Sequence, residues 1–403
     1  MQKDAGGEIG RTAGSAAGRR VGRRAPTVLA VLVTAALGLG IAVTAWPSAG
    51  ASPAGPGGPT AGLHAPGAPE IAALVAPATP PPTATPDAPG TLVTGGADQS
   101  DPFLTIAAGR YLLLTSGGTG PWAANVPVAT STDFVHWSAP VDALAHLPGW
   151  AHPGFTWAPD LHRFGARYAL YFTSMVNGIT PQTQCIGSAL ADSPTGPFTA
   201  QPAPFICQLD LGGSIDPRVF VDNDGTPWML WKSDQNIGGA DTPTTMWSQR
   251  LSADGTGLLG HPSALLSPDR GWQGTIVEAP DLVEVDGAYW IVYSANWYNQ
   301  PAYAIGVARC AGPAGPCRDR TPVPLLATNA QGQGPGEASV FRDGSGVWML
   351  YSPWRSLAPK PDIPPRPVYI TRLGFGPHGP YLASGPLPGV ADLLSWPLWS
   401  STP

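Results

Sequence analysis

The sequence predicts an all-β fold, a five-bladed β-propeller, preceded by a signal or anchor segment and a linker rich in Pro, Ala and Gly. Three observations support it: a hairpin motif that recurs five times, a composition that disfavours long helices, and a basic N-terminus followed by an apolar stretch. Of 403 residues, 51 are Gly, 49 are Pro and only 12% are charged, against about 25% charged residues in a typical soluble domain. Gly and Pro both weaken helices, so long helices are disfavoured.

Residues 1–51 have the composition of an export signal or a signal anchor. Six basic and two acidic residues precede position 25, and the 20 residues from Thr27 to Trp46 carry no charge. A positive region, an apolar core and the small residues Ala49-Gly50-Ala51 are typical of a cleaved signal peptide. An apolar stretch of this length also suffices to span a bilayer. We therefore expect a secreted protein, or a membrane-anchored one with the propeller outside if segment 27–46 is not cleaved.

Residues 52–97 are predicted to form a disordered linker. With His taken as neutral, Glu70 and Asp87 are the only charged residues in this segment, which cannot bury enough apolar surface to offset the entropy of ordering. The propeller is then expected over residues 98–403.

The four cysteines are expected to form disulfides. An even number of cysteines in an exported chain suggests bridging. Three pairings are open, and we favour the local ones, Cys185 with Cys207 and Cys310 with Cys317. A metal site is the alternative, but the spacings match no Cys/His zinc pattern.

Five copies of one hairpin predict the propeller. Each copy has a polar opening, an apolar strand, a Gly-centred turn and a second strand that ends in aromatic-Ser or a close variant, which is typical of β-hairpins. The copies begin at Asp101, Ala158, Asp216, Ala279 and Ala338, at steps of 57, 58, 63 and 59 residues. Equal steps indicate a repeat, and a ring of four-stranded units buries faces that one unit cannot. A β-sandwich, the structural alternative, does not explain the spacing.

The repeat openings bring acidic residues to one place. The innermost strands of a propeller line its axis, so Asp101, Asp216 and Glu278 from three blades would face one mouth. Carboxyl groups held close together raise the pKa of at least one of them. Glycoside hydrolysis needs this combination, because one carboxyl group protonates the leaving oxygen and an ionised one activates water.

Other polar residues near the openings are interpreted as structural. Asp160 and Asp281 belong to Ala-Pro-Asp segments and are predicted to be turn formers at strand ends. Residues 222–224, Asp-Asn-Asp before a Gly, are predicted to form a hairpin turn rather than a calcium loop. His162 is expected to be structural, since none of the seven His residues has metal-ligand spacing.

The ordered set of openings resembles glycoside hydrolase family 43. The motifs that carry the resemblance are Ser100-Asp101-Pro102, Trp157-Ala158-Pro159-Asp160, Ser214-Ile215-Asp216-Pro217 and Glu278-Ala279-Pro280. The resemblance covers about residues 98–394. It implies a five-bladed propeller that removes α-L-arabinofuranosyl or β-D-xylosyl units from plant polysaccharides with inversion of the anomeric centre.

The resemblance also implies roles for individual residues. Asp101 would be the general base that activates water, and Glu278 the general acid, at about 6.5–9.5 Å from each other. Asp216 would orient Glu278 and favour its protonated form. Trp157, just before an opening, is expected to stack on the sugar. Many family members carry a His after a Gly in the fifth opening, where this chain has Glu337.

The departure at Glu337 leaves two consequences open. A fourth carboxylate at the axis either binds a cation such as calcium or changes the protonation of the acid by repulsion. No metal is assigned, and no cofactor is expected to be required.

The remaining tryptophans are divided between core and rim. Trp228, Trp290 and Trp348 lie within hairpin strands and are expected in the core or between blades. Loop tryptophans that either line outer subsites or cover the rim are Trp122, Trp297 and Trp354.

The expected function is that of an exported, monomeric, inverting glycosidase for α-L-arabinofuranosyl linkages in plant cell-wall polysaccharides or oligosaccharides. The alternatives are a β-D-xylosidase of the same fold and a non-catalytic glycan-binding propeller, although a pure binder has no need of the three acids. Retaining five-bladed fructosidases need Asn-Asp-Pro and Arg-Asp-Pro openings, which differ from the Ser-Asp-Pro and Ile-Asp-Pro here. A net charge of −6 provides no basic field, so no nucleic-acid partner is expected.

Overall fold

The predicted five-bladed propeller is confirmed in the computed structural model, which describes residues 90–93, 98–118, 123–179, 182–355, 365–377 and 379–383. Their strands form five antiparallel sheets, one per blade. The predicted export segment and nearly all of the predicted linker lie outside the described residues, as does Trp122. No described helix is long and apolar enough to cross a membrane.

Most strands follow the blades in chain order, after a short first strand, β1 (Thr91–Leu92). Blade one contains β2 (Phe103–Ala107), β3 (Arg110–Leu114), β4 (Pro127–Ser131) and β5 (Val141–Asp142). Blade two contains β6 (Ala151–Phe164), β7 (Arg167–Val176), β8 (Gln184–Ala191) and β9 (Thr199–Ala200). Blade three contains β10 (Ser214–Val221), β11 (Pro227–Ser233), β12 (Thr245–Leu251) and β13 (Leu258–Leu266). Blade four contains β14 (Val277–Val285), β15 (Ala288–Ala295), β16 (Ala304–Cys310) and β17 (Cys317–Arg318). Short 3-10 helices span Leu209–Leu211, Ile237–Gly239 and Gly271–Gln273.

Blade five is built from both ends of the described chain. Its strands are β18 (Gln333–Asp343), β19 (Gly346–Trp354), β20 (Tyr369–Gly376) and β21 (Gly379–Ala383). The N-terminal β1 pairs with β20 at Thr91 and Ile370, and β21 pairs with β20 further along, at Ala383 and Arg372. The early strand therefore ties the start of the propeller to its last blade.

A left-handed residue lies at an equivalent point in every blade, within the first strand of blades two to five and two residues before it in blade one. The five residues, here called the opening residues, are Asp101, Ala158, Asp216, Ala279 and Glu337, with φ between 47° and 57°. The fifth repeat thus begins at Glu337, one residue before the predicted Ala338. The strand register shows why, because Gly336 pairs with Ser352 as Glu278 pairs with Ser294. A left-handed non-glycine residue costs roughly 1–2 kcal/mol, so its recurrence needs a compensating contact.

That contact comes from a hydroxyl group near the end of the preceding blade's second strand. In blades two, three and five, the opening residue donates its backbone N–H to this hydroxyl group across the blade boundary. The pairs are Ala158 to Ser116 (3.0 Å), Asp216 to Thr173 (3.0 Å) and Glu337 to Ser294 (2.9 Å). The repeated Ser or Thr therefore joins adjacent blades at the propeller mouth.

Apolar side chains fill the spaces between adjacent blades, as expected for a ring. Among the described residues, five buried clusters lie between successive blades, including one between blades five and one. Trp348 is fully buried in that last cluster, while Trp228 and Trp290 pack against two others. The predicted core placement of these three tryptophans is confirmed.

Two further sequence predictions are confirmed. Disulfides join Cys185 to Cys207, with Cα atoms 4.8 Å apart, and Cys310 to Cys317, with Cα atoms 3.9 Å apart. Residues 222–226 form the hairpin turn between β10 and β11, closed by a hydrogen bond of 2.9 Å from the Gly225 N–H to the Asp222 carbonyl.

Candidate active site

The three predicted acids meet at the propeller mouth. Asp101 and Asp216 are opening residues of blades one and three, and Glu278 immediately precedes the opening residue of blade four. Asp216 and Glu278 are 8% and 6% exposed. Burial, with an added contribution from repulsion by Glu278, raises the pKa of both Asp101 and Asp216. The fold therefore places acids separated by 115 and 62 residues in one electrostatic site.

Asp101 has partners that favour a hydrogen-bond-accepting carboxylate. The Ser116 hydroxyl donates to Oδ2, and Arg366 Nη1 lies 3.3 Å from Oδ1. Burial raises the pKa of Asp101, whereas the Arg366 charge and the Ser116 hydrogen bond oppose that rise. The same Ser116 hydroxyl accepts the N–H of Ala158, so its hydrogen is directed to Asp101.

Asp216 is bonded to the backbone beside Glu278. Its Oδ2 accepts the N–H of Ala279 at 3.0 Å, the residue that follows Glu278. Burial and then repulsion from Glu278 raise the pKa of Asp216 to about 7, against the attraction of Lys232. This carboxyl group therefore stabilises the left-handed backbone that orients Glu278.

Glu278 is bound on both oxygens. Lys232 Nζ lies 3.1 Å from Oε2, and the Tyr303 hydroxyl lies 2.7 Å from Oε1. Lys232 is 1% exposed and also lies 3.1 Å from Asp234 Oδ1. Burial opposes its charge, but attraction from Glu278 and Asp234 dominates and raises the pKa of Lys232 above its ordinary value. A permanent positive charge thus lies next to the predicted acid.

Lys232 was not identified from the sequence, although a signal for it exists. Its register places it at the second-strand position that carries Thr173 in blade two and Ser294 in blade four. The third repeat thus has a cation where other blades have an inter-blade hydroxyl. A comparison of the five strand ends would have found it.

Tyr303 and Glu337 extend the site toward blade five. The Tyr303 hydroxyl lies 2.8 Å from Glu337 Oε1 as well as 2.7 Å from Glu278. Burial raises the pKa of Tyr303 well above 10, and burial and repulsion from Asp216 raise that of Glu337. Gly336 makes room for the ring, because a Cβ there would lie 1.8 Å from Tyr303 Cε1. No sequence motif marked Tyr303.

Arg366 reaches Asp101 from the segment that precedes β20. Its Nη2 donates to the Ser352 carbonyl at 3.0 Å, and its guanidinium carbon lies 5.2 Å from the centre of the Trp354 ring. Trp354 is 8% exposed, so it lies behind Arg366 rather than open to solvent. Trp297, in the loop between β15 and β16, is partly exposed.

Trp157 occupies the position in blade two that Glu278 occupies in blade four. Its register partner is Thr173, as Ser294 is that of Glu278. The indole is partly exposed and meets the Phe155 ring edge-to-face, with centroids 5.9 Å apart. It therefore stands at the mouth, at the same level as the predicted acid.

The predicted turn-forming role of Asp160 and Asp281 is wrong. Both lie within first strands and are buried, 0% and 5% exposed. Arg218 lies between them. Its Nη1 is 3.6 Å from Asp160 Oδ2, and its Nε is 3.6 Å from Asp281 Oδ2. Burial raises the pKa of each acid to about 7. They form a buried inter-blade ion-pair cluster because the residue two positions after the opening residue also faces inward.

The structural expectation for His162 agrees with its surroundings. Its Nε2 lies 3.7 Å from Asp160 Oδ1, and its ring lies 6.1 Å from that of Phe103. Burial lowers the pKa of His162 to about 4.

Within the described part of the chain, the carboxylates that could hold a metal ion are Asp216, Glu278 and Glu337, with one oxygen each within 4.8 Å of the others. Their donor chemistry suits a hard cation. However, the Lys232 ammonium and the Tyr303 hydroxyl already engage both oxygens of Glu278. This site is therefore arranged to bind the Lys232 ammonium rather than a metal ion.

A five-bladed propeller with unlike carboxyl groups at one mouth has the architecture of a glycosidase that works by acid–base chemistry. The sequence model described as "Glycosyl hydrolases family 43" matches residues 93–379. This chain belongs to that family.

Relatives and a solved structure agree with this assignment. The chain is 36% identical to xylosidase/arabinosidase 43A of Humicola insolens over 127 residues, 28% of this chain and 35% of the relative. It is 27% identical to the extracellular exo-α-(1→5)-L-arabinofuranosidase ArbA of Cellvibrio japonicus (strain Ueda107) over 152 residues, 34% of this chain and 41% of the relative. These matches thus span only about two fifths or less of each relative. A thermostable family-43 glycoside hydrolase of known crystal structure superposes with a TM-score of 0.63 and 27% identity, covering 74% of this chain and 97% of that one.

Proposed function

We propose that this chain is an exported, inverting glycosidase that hydrolyses α-L-arabinofuranosyl linkages of plant cell-wall polysaccharides or their oligosaccharides. The observation that carries the proposal is the unlike environment of two acids at one mouth. Asp101 is paired with Arg366 and Ser116, whereas Glu278 contacts Lys232 and Tyr303. Hydrolysis with inversion requires one carboxyl group that accepts a proton and one that delivers a proton, and only Glu278 of these two acids is hydrogen-bonded to the Tyr303 hydroxyl, at 2.7 Å.

In the proposed reaction, Asp101 accepts a proton from the attacking water while Glu278 delivers one to the leaving glycosidic oxygen. Asp216 acts as a positioning residue, because its carboxyl group binds the N–H of Ala279 next to Glu278. Trp157 provides an apolar ring face at the mouth on which a sugar can stack. General acid or base catalysis contributes typically 10²–10⁴-fold to a rate.

The sugar specificity rests on the named activities of relatives. ArbA is an exo-α-(1→5)-L-arabinofuranosidase, which supports arabinofuranosyl substrates. The second candidate is a β-D-xylosidase, favoured by the 36% identity to a protein named xylosidase/arabinosidase. Export is supported by two disulfides and by the extracellular location in the name of ArbA.

The test is a proton NMR time course of the full chain with an α-1,5-linked arabino-oligosaccharide, and with a β-1,4-linked xylo-oligosaccharide in parallel. We expect arabinose or a shorter oligomer to appear first as the inverted anomer. Release from the xylo-oligosaccharide alone would establish the second candidate. Absence of turnover on both would favour a glycan-binding propeller, and a first product of retained configuration would overturn the assigned mechanism.

Variants of the two acids test the residue assignment. Asp101→Asn and Glu278→Gln should each lower turnover by at least about 10²-fold while the circular dichroism spectrum stays unchanged. The matched control is Asp254→Asn, an exposed acid in a hairpin turn, which should retain wild-type turnover. Full activity in either acid variant would remove that residue from the mechanism.

A further inference from the structure

The contacts of Tyr303 with two carboxyl groups require one extra proton. Its oxygen lies 2.7 Å from Glu278 Oε1 and 2.8 Å from Glu337 Oε1, and both distances are those of O–H···O hydrogen bonds. A phenol carries one hydrogen and can donate only one such bond. The other bond therefore needs a hydrogen from a carboxylic acid, so one of the two glutamates is protonated when both bonds exist.

The surroundings indicate which glutamate carries this proton at rest. Lys232 Nζ lies 3.1 Å from Glu278 Oε2, and an adjacent ammonium favours an ionised carboxylate. Glu337 has no hydrogen bond to a cationic side chain among its described contacts and is 9% exposed. Burial and repulsion by Asp216, Asp101 and Glu278 favour its neutral form, opposed by Arg366. The resting order is thus Glu337 acid, Tyr303 phenol and Glu278 carboxylate.

We propose that Glu337 is the resident proton store of this site and supplies Glu278 through the Tyr303 hydroxyl. In the relay, Glu337 gives its proton to the Tyr303 oxygen as the phenolic proton moves to Glu278 Oε1. Glu278 then passes that proton to the leaving glycosidic oxygen, and Asp101 takes one from the attacking water. Solvent exchange returns the Asp101 proton to bulk and reprotonates Glu337, so no proton is gained or lost over the cycle. This relay rests on the proposed function.

The relay predicts a dependence on the leaving group. Glu337→Gln keeps the size of the side chain but cannot supply a proton. We expect kcat on an oligosaccharide, whose leaving oxygen needs a proton, to fall about 10²-fold. On the dinitrophenyl glycoside of the same sugar, whose phenolate leaves unprotonated, kcat should change less than about threefold. Tyr303→Phe should reproduce this pattern, because it removes the hydroxyl that joins the two glutamates.

The pH profile provides a second readout. The two glutamates share one proton, and its loss would leave two adjacent anions in a buried site, which is resisted. In Glu337→Gln this resistance disappears, so the alkaline limb of kcat/KM should move to lower pH. A purely structural role for Glu337 would lower activity equally on both substrates and leave the limb in place, and that result would overturn the relay.

Tyr293→Phe is the matched control. Tyr293 is a buried tyrosine of the same blade whose hydroxyl lies 2.6 Å from both Gln273 and Asp319. Removal of the Tyr293 hydroxyl should lower the melting temperature. The ratio of kcat on the oligosaccharide to kcat on the dinitrophenyl glycoside should stay as in the wild type. The relay would be refuted if Tyr293→Phe and Tyr303→Phe gave the same kinetic pattern.

Infrared spectroscopy tests the proton without relying on turnover. The carbonyl stretch of a protonated carboxylic acid should lose a component in Glu337→Gln at neutral pH, and keep it in Asp101→Asn. Loss of that component in a chain without glycosidase activity would leave the proton store standing and refute the proposed function. An active wild type whose spectrum is unchanged by Glu337→Gln would refute the proton store alone.

Discussion

Replacement of Lys232 by Met should destabilise the propeller strongly. The ammonium lies 3.1 Å from both Glu278 and Asp234, and all three side chains are buried. Met has a similar length and no charge, so Lys232→Met leaves the two carboxylates without their shared cation. Removal of one partner from a buried ion pair costs about 3–5 kcal/mol, because the remaining charge is uncompensated.

The expected change in melting temperature follows from the size of the domain. The family match spans residues 93–379, or 287 residues, and unfolding entropy is about 2.1 cal/mol/K per residue, so the domain has about 0.6 kcal/mol/K. A loss of 3–5 kcal/mol then lowers the melting temperature by about 5–8 °C.

Differential scanning calorimetry of Lys232→Met beside the wild type measures this shift. Arg167→Met is the matched control, since Arg167 lies 3.6 Å from Asp192 in a pair whose side chains are 56% and 92% exposed. An exposed pair contributes about 0–1 kcal/mol, so this control should shift the transition by less than about 2 °C. If the two variants behaved alike, the inference that Lys232 neutralises buried charge would be refuted.

Two further perturbations address the glycine beside the site and the buried acids. Gly336→Ala introduces a Cβ that overlaps the Tyr303 ring. This substitution should destabilise the protein by about 1–3 kcal/mol and reduce turnover. Gly149→Ala, at a glycine with open space around it, should change neither stability nor turnover. Normal activity of Gly336→Ala would contradict a fixed position of the Tyr303 ring. Asp160 and Asp281 have a folded-state pKa of about 7, above the ordinary 3.8, so the folded state binds more protons than the unfolded state between about pH 4 and 7. Stability should therefore fall as pH rises through this window. In Asp281→Asn, the melting temperature measured by calorimetry across this pH range should decrease less steeply than in the wild type. An unchanged slope would contradict the raised pKa of Asp281.

The sequence was sufficient to predict the propeller and three of its mouth residues. Hairpin patterns repeat at the level of local sequence, so the blade count follows without tertiary information. The sequence favoured the local disulfide pairing but left three pairings open, and the structure has the local one. Asp101, Asp216 and Glu278 were found because all three lie at repeat openings. The start of the fifth repeat was predicted one residue too late, at Ala338 instead of Glu337. No sequence signal indicates that Glu337, rather than Ala338, has the left-handed conformation.

The partners of those acids came only from the tertiary structure. Lys232 lies on a second strand, Tyr303 immediately precedes the third strand β16, and Arg366 precedes β20, so each reaches the site from a different part of the chain. Asp160 and Asp281 have the sequence of turn formers, yet both are buried beside Arg218. Sequence determines local hydrogen bonding and hydrophobic alternation, which are properties of neighbouring residues. Which charges meet at the axis, and hence which carboxyl group keeps a proton, depends on the register and packing of blades separated by many tens of residues.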